Sequence, residues 1–211
     1  MKIALIGATG NIGSEIAQQA VQRGHTVTAV TRRTSGLPPA LAGVDAVVAD
    51  SFDTAALTAA IRGHDVLASA FGPGPDSADL VIKQAEVLIA AARAAGVKRV
   101  VMVGGAGSLL VAPGVQLVDA PGFPDMYRPY AIAHRNALAV LRAATDIDWT
   151  FFAPAAEIGP GDKLGQFRVG RDSLISDAAG NSKISYADYG DAFVTELETA
   201  AHRQQVVTAA Y

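Results

Sequence analysis

The sequence predicts an α/β fold: a doubly wound parallel sheet with helices on both faces. Three observations predict it. Short apolar segments of strand length alternate with helical segments along the chain. Runs such as Arg99–Val103 (RVVMV) are continuous in their hydrophobicity, as parallel strands covered on both faces are. A turn spaced GxxGxxG, Gly7-Ala8-Thr9-Gly10-Asn11-Ile12-Gly13, joins the first strand to the first helix.

The elements follow in order. Lys2–Ile6 is an apolar run of strand length. Asn11–Arg23 is helical, with Ile12, Ile16, Ala20 and Val21 on one side, and stops at Gly24. Thr26–Thr31 is rich in β-branched residues and reads as the second strand; Ala46–Ala49 is the third. Asp53–Arg62 is a short helix ahead of Gly63, and Asp65–Phe71 a fourth strand. Asp79–Ala95 is a long helix closed by Gly96, and Arg99–Val103 a fifth strand. Gly104–Arg128 is rich in glycine and proline and reads as a long loop with room for a short helix, the kind of loop that is often functional. Pro129–Ala144 is helical, with Ile132, Leu138 and Leu141 as its apolar face; Asp148–Phe152 is a sixth strand with Trp149 in the core. Ala153–Ser182 is again loop-rich, with room for small strands, and holds Arg168 and Arg171, which either meet an anion or are solvated. Ser185 to about Ala201 is a helix whose start, Ser-Tyr-Ala-Asp, resembles a capping box, and Val206–Ala209 is a final strand.

The bulk numbers bound the rest. A chain of 211 residues suits one domain over 1–211, with substrate-side loops at about 104–128 and 153–182. A hydrophobic content of 50% argues against disorder. The net charge of -3, with no basic block, argues against nucleic acid. With no cysteine, thiolate catalysis and Cys-based zinc sites are excluded, and His25, His64 and His202 lack metal-ligand spacing and read as surface residues. Met1–Ile6 leads straight into a strand with no charged and apolar leader before it, and no apolar run is long enough to span a bilayer. A cytoplasmic monomer or homodimer, without a membrane partner or a metal, is the expectation.

The glycine turn carries the cofactor reading. Gly7 makes the tight turn off the strand. Gly10 lets the backbone approach a pyrophosphate. Gly13 lets the helix pack near the sheet. Helix N-terminal amides then face the phosphates, with Thr9, Asn11 and Ile12 beside them. At the end of the second strand a carboxylate would select NAD; here Arg32 and Arg33 stand, two guanidinium groups able to grip a 2′-phosphate. NADP(H) is therefore expected over NAD(H). Asp50 accepts a bond from the adenine amino group, with Ser51 beside it, or else caps the helix that follows. Ala70, Phe71 and Gly72 close the fourth strand near the adenosine ribose, though Phe71 equally suits the core.

Taken together, Gly7–Gly13 (GATGNIG), Arg99–Leu109 (RVVMVGGAGSL), Asp148–Pro154 (DWTFFAP), Pro160–Asp172 (PGDKLGQFRVGRD) and Gly180–Asp191 (GNSKISYADYGD) resemble the atypical short-chain dehydrogenase/reductases. The resemblance is to their small NAD(P)H-binding, NmrA-like group, which includes proteins called NADH-flavin reductases, and more distantly to biliverdin reductase B. It covers essentially the whole chain. It implies a Rossmann fold, a nicotinamide cofactor and a loosely defined substrate, and it does not settle function.

The usual short-chain dehydrogenase pairs a tyrosine with a lysine four residues on. Here the match is Tyr130 and His134, on one helix face, with histidine in place of lysine. They are either a weakened acid pair or structural residues of the helix. In Gly104-Gly105-Ala106-Gly107-Ser108 the small residues leave room for nicotinamide and a flat substrate, and Ser108 donates to that substrate or to its own backbone. Pro154 flanks the nicotinamide. These residues fit an NAD(P)H-dependent reductase acting on a flavin, quinone or other flat acceptor, whose chemistry needs positioning more than a strong acid. They also fit a non-catalytic dinucleotide sensor of NmrA type that binds a protein partner. A sugar-type epimerase fits less well, because the lysine is missing.

Overall fold

The computed structural model describes residues 1–32, 41–73 and 77–211. Its strands are β1 (Lys2–Ile6), β2 (Thr26–Thr31), β3 (Asp45–Val48), β4 (Val66–Ser69), β5 (Arg99–Val103), β6 (Leu110–Ala112), β7 (Val115–Gln116), β8 (Asp148–Ala153), β9 (Glu157–Gly159), β10 (Arg168–Arg171), β11 (Lys183–Ser185) and β12 (Gln205–Ala210). Its α-helices are α1 (Asn11–Gln22), α2 (Thr54–Ile61), α3 (Leu80–Ala95), α4 (Arg128–Ala143) and α5 (Tyr186–Thr199).

Eight strands form one twisted sheet in the order β10-β12-β8-β5-β4-β1-β2-β3. Every pair is parallel except β10 with β12. β1 lies between β2 and β4, with Ile3 opposite Val27 on one side and Val66 on the other. This is a Rossmann-type doubly wound sheet. Alternation along each strand splits the core in two. Ile3 and Leu5 face α1 and α5, packing with Ile16, Phe193 and Leu197. Ala4 and Ile6 face α2, α3 and α4, packing with Leu57, Leu88 and Leu138.

The central strands and the helices stand close to their expected places. Asp53, not Asp50, caps α2, its carboxylate accepting from the amides of Ala55 and Ala56. Gly96 closes α3 at φ 76°, where a left-handed residue is needed. The fourth strand is shorter than expected and stops at Ser69, because the chain turns at Ala70 toward Gly7. The two long loops hold short elements: short helical turns in the first and small strands in the second, as the sequence allows, with a hairpin added in the first. The first contains the β6–β7 hairpin and short 3-10 turns. The second contains β9, which pairs with β11, and β10, which adds an antiparallel edge to the main sheet. Three- and four-residue strands carry too little periodicity to be told from loop in a sequence.

The capping box at α5 forms only by half. Ser185 accepts from the Asp188 amide, but the Asp188 carboxylate does not return to the Ser185 amide. That amide donates instead to the hydroxyl of Tyr211, the last residue. Asp188, fully buried, spends its oxygens on the amides of Leu164 and Gly165 and on the Tyr211 hydroxyl at 2.7 Å.

Charges hold the far end of the sheet. Arg99, at the start of β5, pairs with Glu196 at 2.6 Å, and both are buried. Glu196 also accepts from the His202 backbone amide and meets its ring at 2.7 Å. His202 is thus tied by ring and backbone to the buried Glu196 and is not a free surface residue. Likewise His25 meets Glu198 at 2.8 Å. Arg23 of α1 reaches Asp191 and Glu198 of α5, and Lys163 joins Asp191. Burial alone would raise the Asp191 carboxyl, but hydrogen bonds from Lys163 and Arg23 hold it below the usual range. No helix among the described residues is long and apolar enough to cross a membrane. Removing one member of a buried pair strands the other charge, which costs about 3–5 kcal/mol. Glu196→Ala should lower unfolding free energy by that amount in urea titration at pH 7, with Arg99 left buried and unpaired.

Candidate functional site

The chain runs β1, β2, β3 toward one edge, then returns to β4 on the other side of β1. That reversal opens a crevice beyond the C-terminal ends of β1 and β4, where ligands of doubly wound sheets bind. The turns leaving β1, β4, β5 and β8 border this side of the sheet.

The first turn is shaped by contacts that exclude side chains. Gly7 has φ 77°, and a Cβ there would lie 2.5 Å from the Ala70 carbonyl oxygen. A Cβ on Gly13 would lie 2.0 Å from the Gly7 carbonyl oxygen. Gly13 therefore lets α1 close onto the turn itself rather than onto the sheet. Gly10 differs. Its Cβ would meet only the Gly7 oxygen, at an ordinary 3.4 Å. Folding does not demand glycine here, so the open space over Gly10 is available to a ligand. Gly10 is also the N-cap of α1 and supplies no side-chain cap, leaving the helix dipole uncompensated by acid in the first turn. Thr9, Gly10 and Asn11 are exposed, and Ile12 is half-buried. An uncapped helix start beneath an open glycine fits a pyrophosphate.

Past the ends of β2 and β3, Arg32 is exposed; Arg33 lies outside the described residues. Asp50 is exposed and accepts from the Phe52 amide at 2.9 Å, a local turn. Ser51 exchanges two hydrogen bonds with the buried Gln84 of α3, at 3.2 and 2.9 Å. Its hydroxyl is committed to holding α3. Phe71 is half-buried and meets Phe52 edge to face, with centroids 5.2 Å apart. Gly72 beside it is exposed.

At the other end, the run of glycines does not leave the room expected. A Cβ on Gly104 would strike the Phe151 ring at 2.2 Å, one on Gly107 the Ala131 Cβ at 2.5 Å, and one on Gly105 the His134 side chain at 3.0 Å. The protein's own side chains fill those spaces. Ser108 is buried, and its hydroxyl donates to the Gly105 carbonyl at 3.0 Å. A hydroxyl has one proton, so this donor reaches a substrate only by breaking that bond. Pro154 is buried past the end of β8. Tyr130 and His134 share a face of α4, and Tyr130 is half-buried.

His134 is the unusual group. It keeps a little exposed surface, yet its Nδ1 is shut from water and has no hydrogen-bond partner. Its ring lies 6.3 Å from that of Phe151. Burial pushes its pKa down to about 4, so it is neutral at pH 7. No cation therefore stands where a lysine would support Tyr130.

The NAD(P)H-binding family matches residues 7–200. The chain belongs to that family. It is 39% identical over 212 aligned residues to the uncharacterized protein YwnB of Bacillus subtilis, covering 99% of this chain and 97% of that one. A "putative exported protein" of Burkholderia pseudomallei has a similar structure, with 54% identity, full coverage of both chains and a TM-score of 0.94. A "putative NADH-flavin reductase" of Streptococcus pneumoniae superposes with a TM-score of 0.90 at 33% identity, covering 100% of this chain and 99% of that one.

Within this NAD(P)H-binding fold, Phe151 beneath Gly104, the Gln84–Ser51 clamp, and Asp188, which pins the 160–165 loop and meets Tyr211, have no signal in the sequence. Those partners lie 33 to 47 positions apart or at the chain end, beyond any local pattern. Gly10→Glu should leave the unfolding midpoint almost unchanged and abolish NADPH binding by fluorescence titration; retained affinity would sink the pyrophosphate assignment. The depressed His134 pKa has a stability consequence. Unfolded chain takes up a proton near pH 6.5, whereas the native ring takes one only near 4. Stability present above pH 6.5 is therefore lost as pH falls toward 4, by about 2–3 kcal/mol from this group. His134→Phe should flatten that part of the stability–pH curve, measured by urea unfolding at pH 7 and 4.5.

Proposed function

We propose that the protein is an NAD(P)H-dependent reductase that passes hydride to a flat acceptor, a flavin or a quinone, and that it prefers NADP(H). The observation that carries this reading is the lack of a charged partner for Tyr130 along its helix face: His134, four residues on, is uncharged and stands where a lysine would, and Ser108 is tied to Gly105. Oxidation of a secondary alcohol needs a base at that place. Transfer between two stacked rings needs alignment and exclusion of water.

In this proposal Gly7, Thr9, Gly10, Asn11 and Ile12 hold the pyrophosphate through backbone amides. Arg32 and Arg33 hold the 2′-phosphate. Asp50, Ser51, Ala70, Phe71 and Gly72 border the adenosine, with Ser51 acting as a fixed wall because Gln84 holds it. Gly104 and Pro154 border the nicotinamide, which supplies the hydride when bound. Phe151 supports Gly104 from below and fixes the depth of that wall. With Nδ1 shut away, the neutral His134 imidazole has only Nε2 to give or accept a hydrogen bond, according to tautomer, without introducing a charge that would pull water into the site.

Two measurements check this. NADPH oxidation with riboflavin or a small quinone should proceed in Tyr130→Phe with less than about tenfold loss in kcat, under about 1.4 kcal/mol of barrier. A hundredfold loss would restore Tyr130 as a general acid. No oxidation with any flat acceptor, despite tight cofactor binding, would instead favour the sensor. Replacing Arg32 and Arg33 by alanine should weaken NADPH far more than NADH, since each charge-assisted contact contributes about 1.5–3 kcal/mol; equal losses would show that neither reads the phosphate.

A further inference from the structure

A cleft of about 740 Å³ lies beside the nicotinamide end, large enough for a three-ring system. Its lining includes Ala156, two residues past Pro154, and Tyr127, which leads into the helix bearing Tyr130 and His134. It also includes Tyr211, which follows β12, the strand beside β8. The cleft thus sits past the C-terminal ends of β8 and β12, on the side of the sheet opposite the adenosine strands β2 and β3.

Its walls have two characters. Tyr127 and Leu164 are large apolar residues left 55% and 61% exposed. Ile158 and Ile184 stand behind them on β9 and β11. That surface suits the face of an aromatic ring. The charged lining is Glu157, Asp162 and Lys183. Lys183 Nζ is 2.9 Å from Glu157, so this pair cancels. Asp162 is exposed and has no ion-pair partner among the described residues. The other cations of the same loop region are engaged elsewhere: Lys163 on Asp191 and Gln19, Arg168 on the carbonyls of Ser176 and Tyr211. The cleft therefore offers apolar walls, one unpaired negative charge and no free cation among the described residues.

We propose that this cleft takes the acceptor as an uncharged ring system, and that Asp162 disfavours acceptors carrying a phosphate. The inference rests on the reductase reading and narrows its substrate class to unphosphorylated flavins and neutral quinones. Riboflavin and FMN test it, because they share one ring and differ by the phosphate. With NADPH saturating and low salt, the KM for FMN should exceed that for riboflavin by at least about fivefold, the size of one screened charge–charge contact at a surface. The gap should narrow as salt shortens the screening length below about 8 Å. Asp162→Lys should reverse the order, favouring FMN. Binding is read separately, by quenching of each flavin's fluorescence on the NADP⁺-loaded protein. Equal affinity for the two flavins, an unchanged ratio in Asp162→Lys, or no flavin binding would each overturn the inference. Tighter riboflavin binding that Asp162→Lys reverses, with no NADPH oxidised, would uphold the cleft preference and overturn the reductase reading alone.

Discussion

A methyl group on Gly13 would lie 2.0 Å from the carbonyl oxygen of Gly7, and one on Gly7 would lie 2.5 Å from the carbonyl oxygen of Ala70. These two close approaches tie β1, β4 and α1 together at the edge of the sheet. They set where α1 begins, and with it the direction of its amides and dipole. Further along the same edge the approaches repeat with other partners: Gly104 on Phe151, Gly107 on Ala131, Gly105 on His134. The crevice floor is backbone pressed against its supports, and that contact leaves little freedom to repack. Gly10 stands apart as the glycine of this turn whose missing side chain the protein itself leaves unfilled.

The distribution of charge follows a similar division. Buried and partly buried ion pairs gather at the opposite end of the sheet and on the α1–α5 face, in Arg99–Glu196 and in Arg23–Asp191–Lys163. Past the ends of β5 and β8 the buried polar groups are neutral or already bonded, His134 and Ser108 among them. Buried charge is expensive unless paired. The exception is Asp188, a buried carboxylate answered by two amides and the hydroxyls of Ser185 and Tyr211. Its effect is mechanical: it holds the 160–165 loop, and with it one wall of the cleft, to the start of α5.

Much of the fold was legible in the residues because its signals are local. The central strands show as apolar runs, the helices as stripes ended by Gly24 and Gly96, and the first turn as three glycines at fixed spacing. The edge was not legible. β10 pairs antiparallel with β12 through Arg168 and Val169, residues with no strand signature of their own, and it exists because β12 offers an open edge. The candidate site was legible only in part. Tyr130 and His134 are visible as an i, i+4 pair. That Ser108 bonds inward, and that Ser51 is clamped by Gln84, needed partners placed by the fold.

The sequence by itself determined the alternation of strands and helices, the glycine turn, the missing lysine after Tyr130, and the absence of cysteine chemistry. Each of these is a property of neighbours in the chain or of composition. The tertiary structure alone decided what the glycines after β5 are for. Read in sequence they promise space; folded, they receive Phe151, His134 and Ala131. It also decided the charge of His134, because an imidazole's pKa depends on how much water and which partners surround it. Those surroundings come from α4, β8 and the loop after β5, which only folding brings together.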